Sequence, residues 1–332
     1  MKKALSLCLA ILLLVFAVAA CGGEKKPAEN TKKKVALLLS GPANDQGWNA
    51  TAVDGLNAIK EKFGLETTYQ ENVQVADMEA AFSDYANQGC YLIIGHGFQF
   101  GEPAAKVSAN FPDQFFMATE SSSKAKNMSS YVMSCEEGAY LMGTLAAMMT
   151  KTKVVGVVGG VEQPSITKEM EAFKLAAKTV NPEITVLSAY CNSFTDVTAG
   201  QSAATAMINQ HADVLYHVAN QAGTGVIKAC EEKNLYCLGN SYDQSSIAPN
   251  VLLASTVYNL PNVIVYAYES ILNNKFGDAI VPLGIKENVV DITFNEGLKS
   301  VIGEDNIATL NKMKEDIAKG TLDVPVIETP TK

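Results

Sequence analysis

From Lys34 onward the chain alternates short β-rich apolar runs with longer stretches of helical period, and it does so twice. Lys34 to Ser40 is the first run, followed by a helical pattern from Trp48 to Lys62. Glu66 to Gln70 and Tyr91 to Ile94 read as further strands, with a helix from Ala76 to Asn87 between them, and Phe115 to Thr119 reads as another strand. The rhythm restarts at Val154 to Val158, then helix Thr167 to Thr179, strand Thr185 to Tyr190, helix Thr198 to Asn209, strand Val214 to Val218, helix Ala222 to Lys233 and strand Tyr236 to Gly239. Such alternation requires right-handed βαβ units and parallel sheets. Two runs, broken near Met148 to Val154, predict an α/β protein of two doubly wound lobes. The expected N-terminal lobe is 34–150 with part of 257–290, and the C-terminal lobe is 151–256 with part of 290–332. Val251 to Thr256, helix Asn262 to Asn273 and a short C-terminal tail cross back between them.

The residues before Lys34 tell a different story. Lys2 and Lys3 precede the apolar run Ala4 to Ala20, which ends in Val18-Ala19-Ala20-Cys21-Gly22. A basic start, a short apolar core and small residues before a cleavage point make a secretory signal over 1–20. The cysteine directly after the small pair makes it a lipoprotein signal, with Cys21 the acylated new N-terminus. The competing reading, a transmembrane anchor, has a run of only about 17 residues, at the bottom of the spanning range. Stable anchoring takes more than one acyl chain, which this modification supplies. Gly22 to Lys33, with Pro27 and several lysines, forms a tether in residues 21–33. The expected location is the extracytoplasmic face of the cell membrane, reached through the N-terminal lipid.

Hydrophobic residues are 48% of the chain and charged ones 18%, the profile of an ordered globular protein. The net charge of -9 repels phosphate backbones, which excludes nucleic acid as a partner. Glu136 to Met149 is apolar but too short to span a membrane and reads as a buried core helix. Beyond Cys8 and Cys21, the cysteines are Cys90, Cys135, Cys191, Cys230 and Cys237, in no disulfide-framework or zinc spacing. Cys230 and Cys237 either pair across a helix-to-strand turn or remain buried thiols; both readings stay open.

In parallel α/β sheets, ligands bind at the carboxyl ends of strands, and between two lobes those ends face one cleft. After the first strand comes Ser40-Gly41-Pro42-Ala43-Asn44-Asp45-Gln46-Gly47-Trp48-Asn49, where Trp48 is the chain's one tryptophan. It is either a stacking platform for a flat ligand or a core residue on the inner face of the helix. After Ile94 comes Gly95-His96-Gly97-Phe98-Gln99-Phe100-Gly101, where Gly97 lets backbone approach a ligand and Phe98 offers an aromatic surface. Its G-x-G-x-x-x-G spacing, without an acidic residue on a following strand, is not a dinucleotide fingerprint. In the second half, Cys191-Asn192-Ser193-Phe194-Thr195-Asp196 places Phe194 before an expected Asp196 N-cap. Asn220 follows one strand, and Asn240-Ser241-Tyr242-Asp243-Gln244 follows the next.

Catalysis has little to stand on. His96, His211 and His217 fall in no metal-ligand spacing, and no Gly-x-Ser-x-Gly elbow or nucleophilic cysteine signature occurs. No enzyme activity, no metal and no cofactor is expected.

Together, Asn44-Asp45-Gln46-Gly47-Trp48-Asn49, Gly95-His96-Gly97-Phe98, Glu137-Gly138-Ala139-Tyr140-Leu141-Met142-Gly143, Phe194-Thr195-Asp196, Val218 to Gly225 and Asp243-Gln244 resemble the basic membrane protein family of lipoproteins, the purine-binding components of bacterial ABC transporters. The resemblance covers about Lys34 to beyond Asn262. It implies a type I periplasmic-binding-protein fold, two lobes joined by a hinge and closing on a purine. It also implies that Trp48 and Phe194 sandwich the base, that Asn44 and Asp45 read its edge, and that Asn220 lines the other lobe. Asn49, Gly97, Phe98, Ser241 and Asp243 complete the expected ligand site. Nucleoside-binding members carry Asp-Ser-Asp-Gln where this chain has Ser241-Tyr242-Asp243-Gln244, and a lysine where it has Tyr258. Those family groups hold ribose, so a nucleobase is favoured over a nucleoside.

The expected function is thus a monomeric solute receptor that delivers a purine to ABC permease subunits. A purine-sensing lipoprotein serving a signalling receptor would carry the same pocket. A surface enzyme acting on nucleosides would need an acid–base pair or metal cluster that the strand ends do not offer.

Overall fold

The strand Lys34–Leu39 (β1) has both faces buried, which is why its sequence, KVALLL, is a continuous apolar run rather than an alternating one. Val35, Leu37 and Leu39 enter one core and Ala36 and Leu38 a second core on the opposite face of the sheet. The computed structural model describes residues 33–44 and 48–331. The expected signal and all of the tether but Lys33, Cys21 included, lie outside the described residues, as do Asp45, Gln46 and Gly47.

After β1 come helix Trp48–Phe63 (α1), strand Glu66–Gln70 (β2), helix Met78–Asn87 (α2), strand Leu92–His96 (β3), helix Gly101–Ser108 (α3), and strands Phe115–Thr119 (β4) and Met128–Met133 (β5). Helix Cys135–Met149 (α4) leads to strand Val154–Gly159 (β6), helix Pro164–Val180 (α5), strand Thr185–Tyr190 (β7), helix Val197–Ile208 (α6), strand Val214–Val218 (β8), helix Gly223–Lys233 (α7), and strands Tyr236–Gly239 (β9) and Leu252–Tyr258 (β10). Helix Leu260–Leu272 (α8), strands Ala279–Leu283 (β11) and Val290–Phe294 (β12), the short helix Lys299–Ile302 (α9) and helix Glu304–Lys319 (α10) complete the chain.

Two six-stranded sheets result, ordered β11-β5-β4-β3-β1-β2 and β12-β10-β9-β8-β6-β7. Every described pairing in the first is parallel, while in the second β12 runs antiparallel to β10. The two orders correspond strand for strand, and the lobes share one topology over five strands, differing in the direction of the edge strands β11 and β12.

Three expectations change. Helix α4, expected in the N-terminal lobe that runs to residue 150, packs instead on α5, β8, β10, β12 and α10, so the chain leaves the first sheet at Ser134. The reason is its small-residue face: a Cβ at Gly143 would lie 2.2 Å from the Phe173 carbonyl oxygen, so α4 and α5 approach backbone to backbone. Second, the short tail contains α10, a helix with Glu304 and Asp305 in its first turn, Lys319 in its last and Gly320 in the left-handed conformation at its end. Third, α3, β5, β11 and β12 have no counterpart in the expected elements. The cysteines among the described residues are free, so Cys230 and Cys237 are buried thiols.

The chain passes between the sheets three times: at Ser134, at Asn259 and through Gly284 to Val289. These crossings are tied together. The Ser134 N–H donates to the Leu283 carbonyl (2.9 Å) and the Asn259 N–H to that of Val289 (2.7 Å). The Ile285 N–H donates to Glu137 Oε2 (2.7 Å), and burial holds that carboxyl up at about 7. The crossings leave from the carboxyl ends of β5, β10 and β11, so the carboxyl ends of the parallel strands of both sheets lie on the side where the crossings run, the side on which such sheets bind ligands.

Candidate ligand-binding cleft

In the first lobe the segments after β1 and β3 make the cleft wall. Asn44 is exposed, Trp48 is half-buried at the start of α1 and Asn49 is buried with its amide against Gly41, where an added Cβ would stand 2.9 Å from Nδ2. The Trp48 indole stacks on the imidazole of His96, with centroids 4.2 Å apart and planes at 26°. His96 ends β3, beside Leu39 of β1, and is fully buried. Its Nε2 lies 3.0 Å from the Trp48 carbonyl oxygen, which also accepts from the Thr51 hydroxyl (2.9 Å). Its Nδ1 is 3.0 Å from Thr119 Oγ1, and that oxygen accepts the Gly97 N–H (2.8 Å). Gly97 has φ of 128°, a conformation that L side chains rarely adopt, and the turn it makes leaves Phe98 65% exposed at the strand end.

The second lobe presents Phe194 after β7. Its ring lies over Gly160 at the end of β6, where an added Cβ would stand 2.4 Å from it. The loop is fixed on both sides. Asp196 caps α6 by accepting from the Thr198 and Ala199 N–H groups (2.9 and 3.0 Å), and the Phe194 carbonyl accepts the Ala222 N–H (3.1 Å). Asn220 is exposed after β8, with φ of 46°. Asp243 is exposed too, but its carboxylate accepts from the backbone and hydroxyl of Ser245 (2.9 and 2.5 Å), which makes it a turn residue.

Behind the ends of β9 and β10 lies a polar cluster that the sequence does not announce. Glu169, 4% exposed on α5, receives three donors on Oε2: the Tyr258 hydroxyl (2.5 Å), the Asn240 amide (2.9 Å) and the Tyr216 hydroxyl (3.3 Å). Burial pushes its carboxyl up to about 7, against the pull of the Tyr258 and Asn240 hydrogen bonds. Ser241 donates its hydroxyl to Asn240 Oδ1 (2.7 Å). Next to Glu169, the buried Lys168 ammonium lies 3.0 Å from Glu136 Oε2 and donates to the Met133 carbonyl (2.6 Å) at the first crossing. Glu120 accepts the Met133 N–H (2.8 Å) from the other side. Farther back, Gln244 Oε1 lies 2.9 Å from His217 Nε2, and burial holds that imidazole down at about 4, neutral. A charged residue on a helix reads as solvent-facing, so nothing in the sequence marks Lys168 or Glu169.

The arrangement offers aromatic faces from both lobes and neutral amides at the strand ends, with its charges turned to protein partners. That suits a flat, uncharged ligand with a hydrogen-bonding edge. Among the described residues no group of His, Cys, Asp and Glu is placed to hold a metal ion, and no helix is long and apolar enough to cross a membrane.

A family model described as Bmp, ABC transporter substrate-binding protein PnrA-like, matches residues 32–328. The ABC transporter nucleoside-binding protein BmpA of Lactococcus lactis is 29% identical, with 98% of this chain and 99% of that one covered. A purine-binding protein of Brucella abortus is 29% identical over 78% of this chain and 74% of its own length. The crystal structure of an ABC transporter solute-binding protein from Aeropyrum pernix superposes with a TM-score of 0.74 at 21% identity, covering 90% of this chain and 94% of that one, a likeness of fold.

Proposed function

The chain belongs to the Bmp family of PnrA-like ABC transporter substrate-binding proteins, and on that premise we propose that it captures a purine outside the cytoplasmic membrane and delivers it to ABC permease subunits. The observation that carries the reading is the Trp48 indole, seated on His96 at the end of β1 and β3, with Phe194 presented from the opposite lobe. The names of the Lactococcus and Brucella relatives support the ligand class.

A purine has two apolar faces and a polar edge. Trp48 and Phe194 stack on the faces, Asn44 and Asp45 read the edge from one lobe, and Asn220 reads it from the other. Gly97 and Phe98 close the first-lobe wall, and Asn49 holds the turn after β1 through Gly41. The ligand meets both walls only when the lobes are closed, so binding shifts the population toward closure. Energy from ATP enters through partner proteins.

Trp48 is the chain's one tryptophan, so its fluorescence is expected to change when adenine, guanine or hypoxanthine is added. Base–aromatic stacking contributes about 1–3 kcal/mol. Trp48→Ala is therefore expected to weaken purine binding about tenfold by calorimetry. The melting temperature of the empty protein should stay nearly unchanged. A large stability loss with unaltered affinity would make Trp48 a core residue and overturn the reading.

The lipid anchor belongs to the same proposal. Val18-Ala19-Ala20-Cys21 directs acylation of Cys21, so Cys21→Ser is expected to leave the detergent phase on phase separation. A variant that partitions as the wild type does would remove the anchor from the account.

A further inference from the structure

Trp48 is the first residue of α1, a position whose N–H has no partner within its own helix. An aromatic platform there is useful only if something else holds it. Ordering a mobile side chain upon binding weakens affinity, whereas a ring already held in place spares that cost.

We infer that His96 is a positioning residue: its imidazole clamps Trp48 from behind and leaves the opposite indole face for the ligand. The inference rests on the reading of Trp48 as the stacking platform. The Trp48 carbonyl is an acceptor, so the nitrogen 3.0 Å from it, Nε2, carries the proton. Nδ1 shares a hydrogen bond of 3.0 Å with the Thr119 hydroxyl, whose oxygen accepts the Gly97 N–H at 2.8 Å. The chain of hydrogen bonds runs from the Gly97 N–H through Thr119 and His96 to the backbone of Trp48. It joins the ends of β3 and β4 to the start of α1, three elements that meet at the cleft wall.

The ring contact completes the clamp. At 4.2 Å and 26° the imidazole covers one face of the indole, and His96 itself is 0% exposed. A bound base therefore stacks on the far face, so that imidazole, indole and base form successive layers with Phe194 beyond. Two hydrogen-bonded sides of the imidazole leave it one orientation, and that orientation sets the plane of Trp48.

The test uses the single tryptophan of the intact protein. In His96→Ala without ligand, Trp48 is expected to become more accessible to acrylamide and to show lower fluorescence anisotropy. Purine affinity should fall about three- to tenfold. His96→Phe fills the space and restores the ring contact without the hydrogen bonds, so it should fold and fall between wild type and His96→Ala in all three readings. Should His96→Ala not fold, His96→Phe alone decides. Quenching and anisotropy at wild-type values in a folded variant would show that His96 does not hold Trp48. Altered quenching with unchanged purine affinity would equally overturn the inference. If instead Trp48→Ala leaves purine affinity intact, the platform reading fails by itself, and the ligand-free measurements still decide whether the clamp exists.

Discussion

Lys168→Met is expected to destabilise the protein by about 3–5 kcal/mol, the usual consequence of removing one partner of a buried ion pair. Lys168 and Glu136 each have side chains only 5% exposed, 3.0 Å apart. Glu169 and Glu120 lie close by. Burial alone would push the Lys168 ammonium down, but the Cys135 sulfur and the carboxylates of Glu136 and Glu120 hold it above the ordinary lysine range. Without the ammonium, Glu136 remains buried and uncompensated. Replacing both members by apolar residues is often close to neutral. Lys168→Met with Glu136→Met is therefore expected to recover most of the loss in chemical denaturation. A single variant within about 1 kcal/mol of wild type would mean that the pair is effectively solvated.

The same ammonium holds the first crossing. It donates to the Met133 carbonyl, while Glu120 takes the Met133 N–H, so the residue that leads into the first crossing is gripped through both of its flanking peptides. Ser134, next in the chain, donates to Leu283 on the third crossing. A binding protein that closes by hinge motion needs its crossings to bend as one unit, and these contacts couple two of them.

The elements legible in the sequence are those whose signals are local. Phe115–Thr119, Val214–Val218 and Tyr236–Gly239 stand where the apolar runs place them, because a central parallel strand is buried on both faces and says so in its composition, while Thr185–Tyr190 is legible on an edge through its β-rich run alone. β5 is hidden because its Ser129 and Ser130 are poor strand formers that succeed by tertiary bonds. The Ser130 hydroxyl donates to Ser123 (2.5 Å) and Ser129 Oγ accepts the Gly277 N–H (2.9 Å). β11 is hidden by Pro282, which an edge strand tolerates. At the site, Trp48, Phe98 and Phe194 are visible as aromatics after strands. His96 is visible only as a histidine without metal spacing. Its partners, Trp48 and Thr119, come from other segments, and only the sheet brings them together.

The final prediction is that free bases bind at least about thirtyfold more tightly than their nucleosides, again on the proposed purine reading. Ribose brings two vicinal hydroxyls, which lose water when the lobes close. A carboxylate and an ammonium would hold them by charge-assisted hydrogen bonds, and nucleoside-binding members of the family have such groups where this chain has Ser241 and Tyr258. Here the Ser241 hydroxyl is donated to Asn240, and the Tyr258 hydroxyl is donated to Glu169 while accepting from Asn240 (3.0 Å). Burial holds the Tyr258 hydroxyl well above the ordinary tyrosine range, so it stays a neutral donor committed to Glu169. A buried polar group left without a partner costs about 1–3 kcal/mol. Two ribose hydroxyls would thus weaken binding roughly thirtyfold or more, while stacking on Trp48 and Phe194 is the same for base and nucleoside. Calorimetry with adenine, guanine, hypoxanthine and their nucleosides reads this directly. Ser241→Asp combined with Tyr258→Lys should narrow the gap by restoring charged partners for the sugar. Tighter binding of adenosine, guanosine or inosine than of every free base would show that other groups in the cleft hold the ribose.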